Sequence, residues 1–338
     1  MNIDSKWREL PKVELHRHLE GALRFSTLCE LAPQVGIELP TDIEQKKQAL
    51  LVREPMKDLT AVLNKFLTSQ HVLYSEEILS RITYECIEDA YREGIRILEL
   101  RYSPTYIHQG HDSLNFEKIH RSILKGIDQA KRLPISVGLI GIIQRILPLE
   151  SANFVTDFII DHKETFVGID LADDEVSCPT LSFASCFAKA RKAGLHVTVH
   201  SGEANVPGIE KNVKDAIEHL GAERIGHGVQ IYKNEEILRF VKANKVALEL
   251  CPTSNWLTNA VSNLRQHPFK ILMDQGVLTT INSDDPGIFD IDLNNEYQVL
   301  ADHHGLTLAD FEKCNDTAAQ VSFLPLQAKQ KNWPREIS

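Results

Sequence analysis

Apolar runs rich in β-branched residues recur along the chain, with helical spacings of apolar residues between them. From residue 95 onwards, neighbouring runs start 22 to 40 residues apart, which suits one strand followed by one helix. A further run of the same kind precedes them at Val13–His18. The later runs are IRILELRYS from Ile95, ISVGLIGII from Ile135, FVGIDLA from Phe166, LHVTVH from Leu195, RIGHGV from Arg224, VALEL from Val246 and VLTTINS from Val277. The pattern therefore predicts eight strands that alternate with helices.

Eight such units over about 250 residues or more indicate an α/β fold, either a (β/α)8 TIM-type barrel or a doubly wound open sheet. Histidines and acids stand at the C-terminal ends of the predicted strands. A barrel gathers such ends around one mouth, whereas an open sheet spreads them along a row. These residues are His16, His18, Asp170, His200, His227, Glu249 and Asp284. We therefore predict the barrel, with a helical insertion after the first strand.

A long segment without strand patterns, residues 24–94, separates the first strand from the second. Within it, Leu59, Leu63 and Phe66 belong to one apolar helical stripe that begins near Asp58. Such a stripe is typical of a helix packed on the main body, and the alternative is a lid over a site. We expect one domain over residues 1–338, in which 24–94 is the helical insertion or lid and 325–338 is an irregular tail.

The composition restricts the class of protein. The 338 residues are 43% hydrophobic and 25% charged, as in an ordinary globular protein. Lys and Arg number 37 against 47 Asp and Glu, and the net charge of -10 disfavours nucleic acid as a partner. Neither a signal peptide nor a membrane-spanning apolar run is found, which predicts a cytoplasmic protein without a membrane partner. The six scattered cysteines indicate reduced thiols.

Two histidines, His16 and His18, are separated by one residue in the first predicted strand. Strand side chains alternate between faces, so both imidazoles lie on one side and Arg17 lies on the other. Two imidazoles on one face can bind one metal ion, although a lone His-x-His pair is equally consistent with two core histidines. His200 and Asp284 end two later strands and complete a set of nitrogen and oxygen ligands suited to Zn²⁺.

Three further residues adjoin these candidate ligands. Glu203 follows His200 by three residues, where it can face a metal without binding it. His227 stands between two glycines and can orient a metal-bound water or take its proton, and the alternative is a buried core histidine. Asp285 adjoins Asp284, and adjacent carboxylates imply a nearby cation or a protonated partner, or else a solvated turn. Because a divalent metal lowers the pKa of its water to about 7, the set predicts hydrolytic chemistry.

Seven segments resemble the signature blocks of one protein family. They are PKVELHRHLEGAL, RYSP, DLADDE, HSGEA, GAERIGHGV, LELCPTSN and INSDDPGIF, in order from residue 11 to residue 289. Together they resemble the adenosine deaminase family within the metal-dependent amidohydrolase superfamily, and HSGEA with RIGHGV and SDDP is highly specific. The resemblance implies a zinc enzyme that deaminates a 6-aminopurine nucleoside, in the first place adenosine or 2′-deoxyadenosine to the inosine form and ammonia.

The resemblance also implies a role for each matched residue. Glu203 matches the residue that protonates the purine N1 while zinc-activated water attacks C6. His227 matches the residue that orients this water and stabilises the developing charge, and Asp285 matches the acid that hydrogen-bonds the purine N7. The implied ligands of one zinc ion per chain are His16, His18, His200 and Asp284. The implied residues of the hydrophobic lid are Leu59, Leu63 and Phe66.

Two residues depart from the family pattern on the substrate side, and both are predicted to bind substrate. Glu20 stands where adenosine deaminases usually have an Asp that is associated with the ribose 5′-hydroxyl. Asp173 replaces a Gly whose backbone amide meets the purine N3, and its carboxylate can pair with Arg101 or another base, or contact a differently substituted substrate. The alternative substrates are therefore adenine and a 5′-modified adenosine such as 6-amino-6-deoxyfutalosine.

Two other classes of protein use this scaffold. An amidohydrolase-type hydrolase of amides, lactones or phosphoesters with two metals generally needs a bridging Lys on the fourth strand, and FVGIDLA has none. A non-enzymatic relative needs an export signal and tolerates the loss of site residues, but every predicted site residue is present. The expected partner is therefore a small-molecule purine nucleoside or base, and the sequence leaves the oligomeric state open.

Overall fold

Eight parallel strands form the centre of the computed structural model, which describes residues 3–55 and 59–337 without the side chains of residues 59–64. The strands follow one another around the sheet in chain order, and Arg17 and Asp284 form a bridge between the first and the last. This closure confirms the predicted (β/α)8 barrel and excludes the open sheet. The strands are β1 (Lys12–His18), β2 (Ile95–Tyr102), β3 (Ser136–Gln144), β4 (Phe166–Ala172), β5 (His196–Ser201), β6 (Arg224–His227), β7 (Ala247–Leu250) and β8 (Leu278–Ile281).

Helices connect the strands and form the outer layer. The helices are α1 (Lys6–Glu9), α2 (Phe25–Leu31), α3 (Ile43–Leu50), α4 (Leu59–His71), α5 (Glu76–Arg92), α6 (Pro104–His108), α7 (Phe116–Gln129), α8 (Leu149–Asp161), α9 (Ala184–Lys192), α10 (Glu210–Asp215), α11 (Glu235–Ala243), α12 (Pro252–Leu257), α13 (Phe269–Asp274), α14 (Pro286–Phe289), α15 (Leu293–His304), α16 (Leu308–Val321) and α17 (Leu326–Asn332). Within the described residues, no helix combines the length and the apolar character needed to span a bilayer. All six cysteines are free thiols, and four of them are buried.

The segment between β1 and β2 carries α2 to α5, so the predicted helix after Asp58 is confirmed as α4. Leu59 and Leu63 begin this helix, but their side chains lie outside the described residues. The last helix of the segment, α5, begins where Ser75 accepts a hydrogen bond from the backbone amide of Ile78. It buries an apolar stripe against the barrel and α7. This packing accounts for the strongly amphipathic sequence of α5.

The C-terminal segment corrects one expectation, because the predicted irregular tail, residues 325–338, contains a helix. Seven of these residues form α17, and the Trp333 ring that follows is only 4% exposed. This ring packs in a cluster with Val13 and Leu15 of β1. Burial of so large a ring stabilises the segment through tertiary contact. The local pattern could not predict it, because Leu326 is exposed and the helix has little apolar face of its own.

The closure between β1 and β8 is reinforced by buried side chains. Arg17 faces outward from β1, as predicted, and its guanidinium donates two hydrogen bonds to Glu93, at 3.0 and 2.7 Å. Arg17 Nε also donates to the Ser283 hydroxyl, which donates to Glu14 at 2.8 Å. All four side chains are buried. This cluster therefore fastens β1 to the residue that follows the end of β8.

Replacing Arg17 with Met leaves Glu93 as a buried carboxylate without its charged partner. We expect the free energy of unfolding to fall by about 3–5 kcal/mol. The double variant Arg17→Met/Glu93→Gln keeps an acceptor for the Leu293 amide and leaves only Glu14 without its cation, so it should recover part of this loss. Urea unfolding followed by circular dichroism measures both values, and a double variant no more stable than the single one contradicts the ion-pair account.

Candidate active site

The C-terminal ends of the strands surround a pocket of about 250 Å³. This volume lies just below the usual range for small-molecule sites, roughly 300–1,000 Å³. The predicted site residues in its wall are His18, Glu20, Phe66, Asp173, His200, Glu203, His227, Asp284 and Asp285. Wall residues that the sequence did not single out include Ser103, Tyr106, Gln144 and Thr258. His16 is fully buried beside them.

The four predicted metal ligands converge at one point of this pocket. Nε2 of His18 lies 3.3 Å from Nε2 of His16 and 3.1 Å from Nε2 of His200. Oδ1 of Asp284 lies 3.3 Å from Nε2 of both His16 and His18. Ligand atoms bound at 2.0–2.1 Å to one tetrahedral Zn²⁺ lie about 3.3 Å apart. The spacing therefore fits a single ion of this size.

The remaining ring nitrogens of two of these histidines face carboxylates. Nδ1 of His16 donates to Glu249 at 2.7 Å, and Nδ1 of His200 donates to Asp170 at 2.9 Å. A neutral imidazole that donates from Nδ1 presents a lone pair at Nε2, and burial lowers the pKa of His200 to about 3. The converging nitrogens of His16 and His200 are therefore acceptors, and with the Asp284 carboxylate they form an arrangement that a divalent cation satisfies.

Arg101 joins the two carboxylates, because it donates to Asp170 at 2.8 Å and to Glu249 at 2.7 Å. Burial alone raises the pKa of each acid. The His200 ring and Arg101 outweigh this effect at Asp170, and Arg101 and Arg224 outweigh it at Glu249, so both pKa values lie below the usual range. Sequence reasoning placed both acids at strand ends without assigning them this contact. In the sequence, each acid is a charged residue inside an otherwise apolar strand, and this is the signal that could have indicated a buried ionic contact.

Glu203 and His227 face each other beside the converging atoms. Nε2 of His227 lies 3.5 Å from Oε2 of Glu203, whose other oxygen accepts a hydrogen bond from Thr258 at 2.9 Å. His227 could also be considered as a ligand, because its ring lies in the same cluster. However, its Nε2 is 3.9 Å from Asp284, whereas that of His18 is 3.3 Å away. The distances therefore favour His18 as the ligand.

Three pocket residues other than glycine have left-handed backbone conformations. Their φ angles are 87° at Asp173, 61° at His227 and 64° at Asp284. Such conformations cost roughly 1–3 kcal/mol each and concentrate at functional sites. Gly226 gives the His16 ring room, because a Cβ at this position would lie 2.9 Å from Cε1 of that ring.

The substrate-side residues Glu20 and Asp173 lie at different depths. Glu20 is buried, which raises its pKa to about 7, and Oε1 accepts the Ser103 amide at 2.6 Å. Oε2 of Glu20 has no hydrogen-bond partner among the described residues. Asp173 is exposed and accepts a hydrogen bond from Gln144 at 3.0 Å. The suggested pairing of Asp173 with Arg101 is therefore wrong, because that guanidinium is directed at acids inside the barrel.

Asp285 lies against the backbone of Gly21. A Cβ at Gly21 would lie 1.7 Å from Oδ1 of Asp285, so the position of this carboxyl group depends on the missing side chain. Burial and the carboxylates of Asp284, Glu20 and Glu203 raise the pKa of Asp285 well above its usual range. The pocket thus places an acid with a raised proton affinity beside the converging ligand atoms.

Residues 11–333 match the family model described as Adenosine deaminase. The adenosine deaminase of Edwardsiella ictaluri is 35% identical over 330 residues, which cover 97% of each chain. The chain belongs to the adenosine deaminase family. It is therefore a hydrolytic purine deaminase, and the resemblance read from the seven segments is confirmed.

Solved structures of two other deaminases have the same architecture. The adenine deaminase of Arthrobacter aurescens is 26% identical with a TM-score of 0.85, and the match covers 95% of this chain and 96% of that one. The N6-methyl-AMP deaminase of Arabidopsis thaliana is 27% identical with a TM-score of 0.83, covering 97% and 96%. Members of this structural group thus differ in the purine on which they act.

Gly21→Ala should weaken substrate binding, because the new methyl group displaces the Asp285 carboxyl group. We expect kcat/KM to fall by about 10- to 100-fold, the usual cost of leaving one buried acceptor without its hydrogen-bond donor. Zinc content should not change, since the methyl group does not reach the ligand atoms. Steady-state kinetics and metal analysis test this together, and a variant with unaltered kcat/KM contradicts the predicted contact.

Proposed function

We propose that this deaminase acts on adenosine and 2′-deoxyadenosine, using one zinc ion per chain, and produces inosine or 2′-deoxyinosine and ammonia. The observation that carries the proposal is the convergence of four ligand atoms beside Glu203 and His227 in one pocket. Family membership supplies the reaction class, and the geometry supports the assignment of individual residues.

The residues that would hold zinc are His16, His18, His200 and Asp284. Zinc bound there lowers the pKa of a water molecule to about 7 and so makes a nucleophile available at neutral pH. The carboxylates of Asp170 and Glu249 support this assignment, because acids that bind the second nitrogen of a ligating histidine fix its tautomer and orientation.

The other polar groups of the pocket would bind the purine and move protons. Glu203 takes a proton from the attacking water and gives it to N1 of the purine, which makes C6 more electrophilic, and the Thr258 hydroxyl donates a hydrogen bond that holds its carboxyl group in place. His227 orients the attacking water and stabilises the charge that develops on its oxygen. The Asp285 carboxyl group hydrogen-bonds N7. The proton of the hydroxyl group added at C6 then moves to the amino group, so that ammonia leaves and the 6-oxo form remains.

The outer part of the pocket supports a nucleoside without a phosphate. Oε2 of Glu20 has no described partner, and a ribose hydroxyl is the kind of donor that it accepts. Asp173 adds a second carboxyl group, and the described lining contains neither Lys nor Arg. A nucleotide of the kind named for the Arabidopsis enzyme is therefore disfavoured. Because Glu20 is one methylene longer than the usual Asp, adenine and a 5′-modified adenosine remain the alternative substrates.

We also propose that residues 24–94 form a lid within a single domain. Phe66 of α4 lines the pocket, and its backbone carbonyl accepts a hydrogen bond from the Tyr106 hydroxyl at 2.6 Å. Ser69 of the same helix donates to the backbone carbonyl of Glu20. These contacts connect the helix directly to the substrate-side wall.

Glu203→Gln should abolish most turnover while zinc binding persists, because an amide cannot give a proton to N1. We expect kcat to fall by about 10²–10⁴-fold, the usual contribution of general acid catalysis. Glu218→Gln, at an exposed position, is the matched control for the loss of one acidic charge. Retention of near wild-type activity by Glu203→Gln contradicts the assigned role.

A substrate panel tests the proposed specificity with purified zinc-loaded protein, by ammonia release and the ultraviolet change at C6. The panel contains adenosine, 2′-deoxyadenosine, adenine, a 5′-thio-substituted adenosine, 6-amino-6-deoxyfutalosine and AMP. We expect adenosine and 2′-deoxyadenosine to be turned over best and AMP poorly. Preference for adenine or a 5′-modified nucleoside overturns the choice of substrate, and inactivity on the whole panel overturns the proposed function.

A further inference from the structure

A chain of hydrogen bonds connects the first residue of α13 with Nδ1 of His227. The backbone amide of Phe269, the first residue of α13, donates to Nδ1 of His267 at 3.1 Å. Nε2 of His267 lies 3.1 Å from Oδ1 of Asn255, and Nδ2 of Asn255 lies 3.1 Å from Nδ1 of His227. All three side chains are buried: Asn255 is 0% exposed, His227 is 1% exposed and His267 is 2% exposed. We call these three side chains the relay.

The direction of every hydrogen bond in the relay follows from its backbone end. An amide N–H is only a donor, so Nδ1 of His267 accepts and carries no hydrogen. Burial lowers the pKa of His267 to about 3, so its neutral ring carries its one hydrogen on Nε2 and donates it to Oδ1 of Asn255. The amide nitrogen of Asn255 is thereby turned toward His227. That nitrogen is only a donor, so Nδ1 of His227 accepts.

The relay leaves the hydrogen of a neutral His227 ring on Nε2. This nitrogen faces the pocket, 3.5 Å from Glu203. We infer that Asn255 and His267 are positioning residues, which hold His227 in the Nε2–H tautomer so that it donates a hydrogen bond at the reacting centre instead of accepting a proton. The inference rests on the proposed function, in which His227 contacts the attacking water.

In the reaction, His227 and Glu203 therefore have different roles. A ring with hydrogen on Nε2 has no lone pair to offer the attacking water, so it stabilises developing negative charge as a donor. Proton transfer to the purine then belongs to Glu203. The two roles that the sequence left open for His227, orienting the water or taking its proton, are thereby reduced to the first.

The test is to observe the His227 tautomer directly and to alter the relay. Zinc-loaded protein with ¹⁵N-labelled histidine rings is studied by two-bond ¹H–¹⁵N correlation, and the His227 signals are assigned by their loss in His227→Gln. Wild-type protein should show hydrogen on Nε2 of His227. Asn255→Asp has the same shape but only acceptors, so the hydrogen should move to Nδ1 and kcat should fall by about 10²–10⁴-fold with little change in KM.

Variants of His267 separate positioning from a merely structural role. His267→Leu removes the donor that orients the Asn255 amide, so both His227 tautomers should appear and kcat should fall. His267→Gln keeps an amide donor near the former Nε2 position and should restore the Nε2–H tautomer and most of the activity. His304→Gln is the matched control, because that ring lies 6.4 Å from His267 and its Nε2 donates to the Leu264 carbonyl at 2.8 Å.

Two results overturn the inference: hydrogen on Nδ1 of His227 in the wild-type protein, or an Asn255→Asp variant with both the wild-type tautomer and the wild-type kcat. These results are separable from failure of the proposed function. If no purine is turned over but wild-type His227 carries hydrogen on Nε2 and Asn255→Asp moves it, the relay stands and the proposed substrate fails. If adenosine is turned over with hydrogen on Nδ1, the relay fails alone.

Discussion

The active-site end of this barrel depends on one electrostatic constraint. Nitrogen and oxygen atoms of His16, His18, His200 and Asp284 approach one another to 3.1–3.3 Å in a buried pocket, and the lone pairs of His16, His200 and Asp284 remain unsatisfied unless a cation lies between them. The surrounding charges are consistent with such an ion. Arg101 keeps the acids behind two of the histidines ionised, and these acids keep the ligating nitrogens free of hydrogen.

Strand β1 connects this constraint to the closure of the fold. Its inner face carries His16 and His18, while Arg17 between them points outward into the cluster with Glu93. The backbone of the same strand forms two hydrogen bonds with the backbone of Asp284. The His18 amide donates to the Asp284 carbonyl, and the Asp284 amide donates to the His16 carbonyl. Barrel closure and the proposed metal site therefore use the same residues, which are far apart in the chain.

The sequence predicted the features that local periodicity and spacing record. All eight strands appear near their predicted positions, and the side chains of His18 and His200 meet although 182 residues separate them in the chain. Side-chain partners across the barrel were not predictable in this way. The contact of Asp173 with Gln144, and the burial of Trp333 after α17, depend on which segments meet in space. Periodicity within one segment carries no information about such contacts.

The central claim, that four named side chains form one metal site beside separate proton-handling residues, is tested most directly by crystallography of the zinc-loaded protein. Anomalous data on both sides of the zinc absorption edge should give one peak per chain, about 2.0–2.2 Å from Nε2 of the three histidines and from an Asp284 carboxylate oxygen. Glu203 and His227 should lie outside the coordination sphere. A peak bound by His227 in place of His18, a second zinc peak in the pocket, or no peak there would contradict the account.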